Sequence, residues 1–146
     1  MNAGGRLEEA LVMVRAPEAL VARPYLRPVY DEPEFIVRNV WRLYGGWYDG
    51  NPAHLKPAPD AVLATALAGL AGGAAALADR ARASAAAGDL RLAGDLAELA
   101  ALAAPDDPAV HQVRAEVNEA RAAAEPSLMA QGVFRWAARE SRRVSP

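Results

Sequence analysis

The chain has 146 residues, 53% of them hydrophobic, and no cysteine, so its length suits one domain and both disulfides and thiolate zinc sites are excluded. Its 16 basic and 18 acidic residues leave a formal charge of −2 without a concentrated basic patch, and we expect no nucleic-acid partner. We also expect no membrane span, because no run of 18 apolar residues is free of charged residues and glycine. We expect no signal peptide either.

The first thirty residues predict a short helix followed by an irregular arm. Apolar side chains recur at helical spacing between Arg6 and Val14, and a further short helical turn is expected from Pro17 through Leu20. Two prolines favour an extended chain between Ala22 and Tyr30. This arm carries Tyr25 and Tyr30 among other large apolar groups, which must pack against something.

A second, longer helix is predicted from about residue 33 to Tyr44. Asp31 and Glu34 have the spacing of a capping box, Pro33 suits the first helical position, and Gly45-Gly46 ends the helix. Two apolar stripes share it, which makes it either central in its own domain or shared with a partner. The stripes are Ile36, Val40, Leu43 and Trp47, and Val37, Trp41, Tyr44 and Tyr48.

The sequence Asp49-Gly50-Asn51-Pro52 predicts a turn, and three prolines keep the chain irregular through Ala58. Asp60 is predicted to cap a helix to about Leu70, after which Gly72-Gly73 either breaks the helix or allows close packing. Three helices then follow with turns at Gly88-Asp89 and residues 105–108, and a last helix opens at Pro126-Ser127. Their predicted inward residues are Leu92, Leu96, Leu99 and Leu102, then Val110, Val113 and Val117.

Small residues in the alanine-rich half fall at a spacing like that of tetratricopeptide repeats. Ala81, Ala93 and Ala100 occupy the small positions, and Pro105 closes the unit. About one and a half repeats fit, whereas a stable solenoid needs at least three. The sequence therefore predicts an all-α fold of antiparallel, tetratricopeptide-like helical hairpins with a proline-rich N-terminal arm.

Residues with the spacing of a catalytic or metal site are not found. His54 and His111 are far apart and lack ligand partners at helical spacing, so both are interpreted as structural. No nucleophile elbow or phosphate-binding glycine loop is present. Arg38 and Arg42, with the neighbouring asparagine, have two interpretations. They could contact a partner or an anion, or they could form a solvent-facing row with Glu34. We prefer the solvent-facing row.

The run YDEPEFIVRNVWRLYGGWYDGNPAHLKP at residues 30–57 resembles the dimerisation domain of bacterial alkyl sulfatases, which belong to the metallo-β-lactamase superfamily. The segment 24–28, the hairpin residues 86–89 and 105–107, and the closing helix 127–139 resemble it too, so the likeness covers nearly the whole chain. The resemblance implies a parent enzyme with a His-x-His-x-Asp-His motif, two zinc ions and hydrolysis of sulfate esters. That catalytic domain is not in this chain.

The resemblance makes a homodimerisation module the leading hypothesis, with the chain itself and the parent's metallo-β-lactamase domain as partners. The module spans 1–146 as a single domain, subdivided into 1–30, 31–58 and 59–146. Tyr44, Trp47 and Tyr48 are also candidates to line a substrate pocket of the parent. The candidate dimer-interface residues are Tyr25, Tyr30, Val37, Trp41, Tyr44, Trp47 and Tyr48.

Two rival hypotheses remain open at this point. In one, the chain is an enzyme in its own right, which would need metal ligands that the sequence does not display. Our own expectation is that this chain carries no cofactor and no catalytic residue. In the other, it is a stand-alone tetratricopeptide-like adaptor that binds a peptide or protein in a concave groove of residues 74–124.

Overall fold

A computed structural model describes residues 4–144, and all the regular structure within them is helical. The predicted all-α class is confirmed. The residues before Gly4, on which the expectation about a signal peptide partly depends, lie outside this range. The α-helices are α1 (Leu7–Met13), α2 (Glu18–Val21), α3 (Pro33–Gly45), α4 (Asp60–Ala71), α5 (Ala74–Ala86), α6 (Leu90–Ala103), α7 (Pro108–Ala124) and α8 (Leu128–Ser141), with 3-10 helices at Pro24–Leu26 and Pro52–His54.

The chain divides into two compact units. The N-terminal unit contains the residues up to Pro57 together with Pro126–Met129. The alanine-rich unit contains Ala58–Glu125 and the residues from Ala130 onward. The boundary between the two units at 57/58 lies one residue before the predicted boundary at 58/59. The organisation as a single domain stays a prediction.

Alanine and valine form the core of the alanine-rich unit. Helix α5 packs against α6 and α7, and α4 packs against α5 and α6. The predicted small positions Ala81, Ala93 and Ala100 are fully buried, which lets the helix backbones approach closely. The three valines of α7 that were predicted to point inward are buried. Similarity to tetratricopeptide repeats beyond this packing stays a prediction.

The predicted leucine face of α6 is only partly correct, because Leu96 and Leu99 pack against the core without forming its buried centre. Leu92 is exposed, and Leu96, Leu99 and Leu102 are only half-buried. The buried face consists instead of the alanines around Ala97 and Ala100, together with Gly94. Leucine would hold neighbouring helices apart where alanine lets them touch, so the leucines flank the contact.

Two predicted N-caps are wrong. Helix α3 begins at Pro33 after Glu32, which makes no side-chain cap hydrogen bond, and Asp31 Oδ1 accepts instead from the Glu32 N–H at 2.8 Å. Pro33 lacks an N–H and fixes its own φ, so it sets the start of the helix. Asp60 is likewise the first residue of α4, after Pro59, and not its cap.

The glycine pair after α4 breaks the helix. Gly72 ends it at φ +94°, and Gly73 precedes α5 at φ +120°, backbone angles that favour glycine. Within residues 4–144 no single helix is long and apolar enough to cross a membrane, and α4 with α5 reaches that length and composition only as a pair bent by 85°.

His111 is buried within the alanine-rich unit. Its Nε2 lies 2.9 Å from the Pro105 carbonyl oxygen, which can only accept, and its Nδ1 lies 3.4 Å from the Ser141 hydroxyl. Both ring nitrogens are thus committed to hydrogen bonds inside the unit. The structural interpretation of this histidine agrees with its position.

Candidate dimerisation surface

The N-terminal unit is built on α1 and α3, which pack against each other. The N–H of Leu7, at the start of α1, donates to the Asp49 carbonyl at 2.9 Å. The indole Nε1 of Trp41, on α3, donates to the Tyr48 carbonyl at 2.9 Å. Both helices are therefore joined to the loop that follows α3. Trp41 is only 8% exposed, so its ring stabilises this unit and offers little surface to a partner.

The loop at Asp49 is held by its own side chains. Asp49 Oδ1 accepts from the Asn51 N–H at 2.9 Å, and its Oδ2 lies 2.5 Å from His54 Nδ1. The hydrogen bond from His54, followed by that from the Asn51 backbone, lowers the pKa of Asp49. Asn51 Oδ1 accepts from the Ala53 N–H at 3.1 Å. His54 therefore bonds within its own loop, in agreement with its interpretation as a structural residue.

The proline-rich arm is fixed through its main chain. The Val29 and Tyr30 carbonyls accept from the N–H groups of Leu128 and Met129 at 2.9 and 3.3 Å, and the Ser127 hydroxyl donates to the Tyr30 carbonyl at 2.7 Å. These carbonyls satisfy N–H groups that the first turn of α8 leaves without helical partners. Because the backbone holds the arm in place, its large side chains remain free to point outward.

Four aromatic side chains of the predicted interface lie at the surface of the N-terminal unit. Tyr25 is 75% exposed, Tyr30 66%, Tyr44 77% and Trp47 71%. Trp47 also meets the half-buried Tyr48 ring edge-on, with the ring centroids 6.0 Å apart. Large aromatic groups this exposed are typical of interaction sites. We call these four residues the aromatic set.

An apolar groove of about 310 Å³ lies between α1 and α3. Its lining contains Val37 and Trp41 from the predicted interface, and four residues that the site prediction did not include. Ile36 and Val40 belong to a stripe that the sequence had already revealed. Val14 belongs to the apolar face predicted for the first helix, whereas Ala10 could not be identified before the packing of α1 on α3 was known. The lining residues are Ala10, Val14, Ile36, Val37, Val40 and Trp41.

Helix α3 also carries charged residues. Arg38 and Arg42 are exposed, and Glu34 lies 3.7 Å from the guanidinium of Arg15. Across residues 4–144 no three histidine, cysteine, aspartate or glutamate side chains converge so that they could hold a metal ion.

The model of the family described as alkyl sulfatase dimerisation matches residues 6–144. A linear primary-alkylsulfatase of Pseudomonas sp. (strain ATCC 19151) is 38% identical over 96 residues, which is 65% of this chain and 17% of the relative. An (R)-specific secondary-alkylsulfatase of Pseudomonas sp. is 33% identical over 120 residues, 82% of this chain and 18% of the relative.

A solved structure shows the same fold. The stereoselective inverting sec-alkylsulfatase Pisa1 from Pseudomonas sp. matches with a TM-score of 0.89 and 30% identity, covering 100% of this chain and 23% of that chain. The chain thus spans less than a quarter of the length of the proteins it matches. The family match over nearly all of the described residues shows that this chain belongs to the alkyl sulfatase dimerisation family.

Proposed function

We propose that this chain is the homodimerisation module of a zinc-dependent alkyl sulfatase that hydrolyses sulfate esters, and that the metallo-β-lactamase domain of the parent protein performs the catalysis. The observation that carries the proposal is the aromatic set, which projects from a unit whose backbone is already fixed. Burying one such side chain at a partner surface contributes about 1.5–3 kcal/mol. Several together are enough to drive association.

The proposal that another domain of the parent protein performs the catalysis follows from the side chains available in this chain. The described residues offer hydrogen bonds and apolar surface, without a cluster of metal-binding groups. The two zinc ions of the proposed enzyme would belong to its catalytic domain, where a metal ion activates water for attack on the ester. We accordingly propose that this chain does not catalyse the reaction alone. A direct check is an alkyl sulfate hydrolysis assay of the purified chain with added zinc, in which turnover would contradict the proposal.

We further propose that Tyr44, Trp47 and Tyr48 line part of the substrate pocket in the parent enzyme. The exposure of Tyr44 and Trp47, and their position on either side of a glycine pair, support this role. In the parent enzyme, Trp47→Ala should raise KM for a long-chain sulfate ester more than for a short-chain one. An equal effect on both chain lengths would argue for a purely structural role.

The homodimer is tested with two matched tryptophan variants. Trp47 lies in the N-terminal unit and Trp136 in the alanine-rich unit, and both are exposed. Trp47→Glu should weaken the dimer at least about tenfold, since a charge would be buried at the contact. Trp136→Glu should leave the dissociation constant unchanged. Light scattering after size exclusion, over a dilution series, measures both constants.

Three results would contradict the proposal. Equal weakening by the two variants would show that the aromatic set has no special part in association. A dimer that tolerates Trp47→Glu would place the contact elsewhere. A monomer that captures a peptide without self-association would favour the adaptor hypothesis.

A further inference from the structure

Helix α4 carries a second apolar face that its own unit does not cover. Ala64 and Ala68 are buried against the neighbouring helices. On the opposite side, Val62, Leu63 and Leu70 are exposed, and Leu70 is 87% exposed. A helix that is apolar on all sides is normally enclosed. Something outside this unit is therefore expected to cover the outward face.

The outward face has a shape that complements itself. Leu70 projects from one end, while a shallow groove of about 430 Å³ lies at the other end, lined by Ala61, Val62, Thr65 and Ala66. Val62 and Leu70 each lie four residues from Ala66, on the same side of the helix. In an antiparallel pair of α4 helices centred on Ala66, each Leu70 therefore faces the groove beside Val62 of the other copy. A symmetric dimer requires this kind of reciprocal contact.

Charge and area both favour a second copy as the occupant. No residue from 61 to 78 is charged, so the face meets itself without like-charge repulsion. The four side chains of the aromatic set, each of about 150–250 Å² and between 66% and 77% exposed, together offer roughly 430–720 Å² per copy. A permanent homodimer buries about 1,000 Å² or more per copy. A second contact would supply the difference.

We propose that α4 packs antiparallel against α4 of a second copy, with Ala66 at the symmetry axis and Leu70 of each copy in the groove of the other. This inference rests on the homodimer proposed above and assigns it a second contact. The small side chains of Ala66 and Gly69 allow the two backbones to approach closely there.

Single cysteines test this contact cleanly, because the natural chain contains no cysteine. At the symmetry axis, Ala66→Cys places two thiols close enough for a disulfide. The matched control is Ala83→Cys, at an exposed position on α5. After mild oxidation, most of the Ala66→Cys protein should run as a covalent dimer on a non-reducing gel, and Ala83→Cys should remain uncrosslinked. Circular dichroism checks that both variants keep their helix content.

The outcomes separate this inference from the proposed function. If sedimentation shows a dimer but Ala66→Cys crosslinks no better than Ala83→Cys, the α4 contact is wrong while the homodimer stands. If the unaltered chain stays monomeric at all concentrations, both fail. Leu70→Glu gives a second readout: it should weaken the dimer at least about tenfold, and an unchanged dissociation constant would overturn the contact.

Discussion

The guanidinium of Arg114 on α7 holds the carboxylate of Glu98 on α6 through two hydrogen bonds, Nε to Oε2 at 2.7 Å and Nη2 to Oε1 at 3.1 Å. Its Nη1 donates to the Ser141 hydroxyl at 2.7 Å and lies 3.3 Å from a Glu140 oxygen. Burial lowers the pKa of Arg114, but the hydrogen bond and charge of Glu98, with the charge of Glu140, outweigh it and raise the pKa. One buried cation therefore connects three helices.

Replacing Arg114 should destabilise the alanine-rich unit. Arg114→Met keeps most of the apolar volume but removes every one of these bonds, and we expect a loss of about 2–3 kcal/mol in the free energy of unfolding. Glu98→Gln should cost less, about 1 kcal/mol, because the half-exposed carboxylate is partly solvated. Urea denaturation followed by circular dichroism measures both. Equal losses would show that Glu98 alone accounts for the stability.

Gly94 and Arg121 should be energetically coupled. The Arg121 guanidinium lies 4.1 Å from the centre of the Phe134 ring, and a Cβ at Gly94 would come within 2.1 Å of its Nη1. Gly94→Ala gains about 1 kcal/mol of helix propensity but displaces this cation–π contact, which is worth about 0.5–2 kcal/mol. Since the two effects oppose each other, we expect the single variant to change stability by between a gain of about 0.5 kcal/mol and a loss of about 1 kcal/mol.

The same substitution made in an Arg121→Ala background should stabilise the protein by about 0.5–1 kcal/mol, since the displaced side chain is gone. Thermal unfolding of the four proteins in this double-mutant cycle gives the coupling energy. A coupling energy of zero in this cycle would mean that Arg121 does not occupy the space beside Gly94.

The Asp49 loop should make the protein sensitive to acid. The folded-state pKa of Asp49 is lower than its ordinary value of 3.8, mainly because of the His54 hydrogen bond. The stability it contributes is therefore complete above about pH 4–5 and is lost as the pH falls through the folded-state pKa. Asp49→Asn should lower the melting temperature at neutral pH and flatten its decline below pH 4. Asp106→Asn, at an exposed turn, serves as the control.

The helices were predictable where a local signal determined them. Pro33 and the glycine pair after Tyr44 set the ends of α3, and Asp107 caps α7 through its Oδ1. The caps at Asp31 and Asp60 were predicted wrongly because a proline nearby fixed each helix start instead. The buried face of α6 was predicted only in part, because side-chain size alone does not reveal that close backbone packing selects alanine.

The exposure of the aromatic side chains had two signals in the sequence: the apolar stripes beginning on α3, which are wider than one buried face needs, and the proline-rich arm that carries Tyr25 and Tyr30. Their part in a dimer stays a prediction. Burial of Trp41 was not predictable, because it depends on the later Tyr48 carbonyl that the indole meets. The groove residues Ala10 and Val14 required knowledge of how α1 packs on α3. The helical periodicity that includes Val14 does not reveal which helix its face packs against.

Sedimentation velocity of the unaltered chain tests the central claim most directly. A protomer has a mass of 15.4 kDa. If its exposed aromatic surface meets a second copy, the chain should sediment as a particle of twice that mass at micromolar concentration and shift towards the protomer mass on dilution. A single species of protomer mass at every concentration would contradict the account.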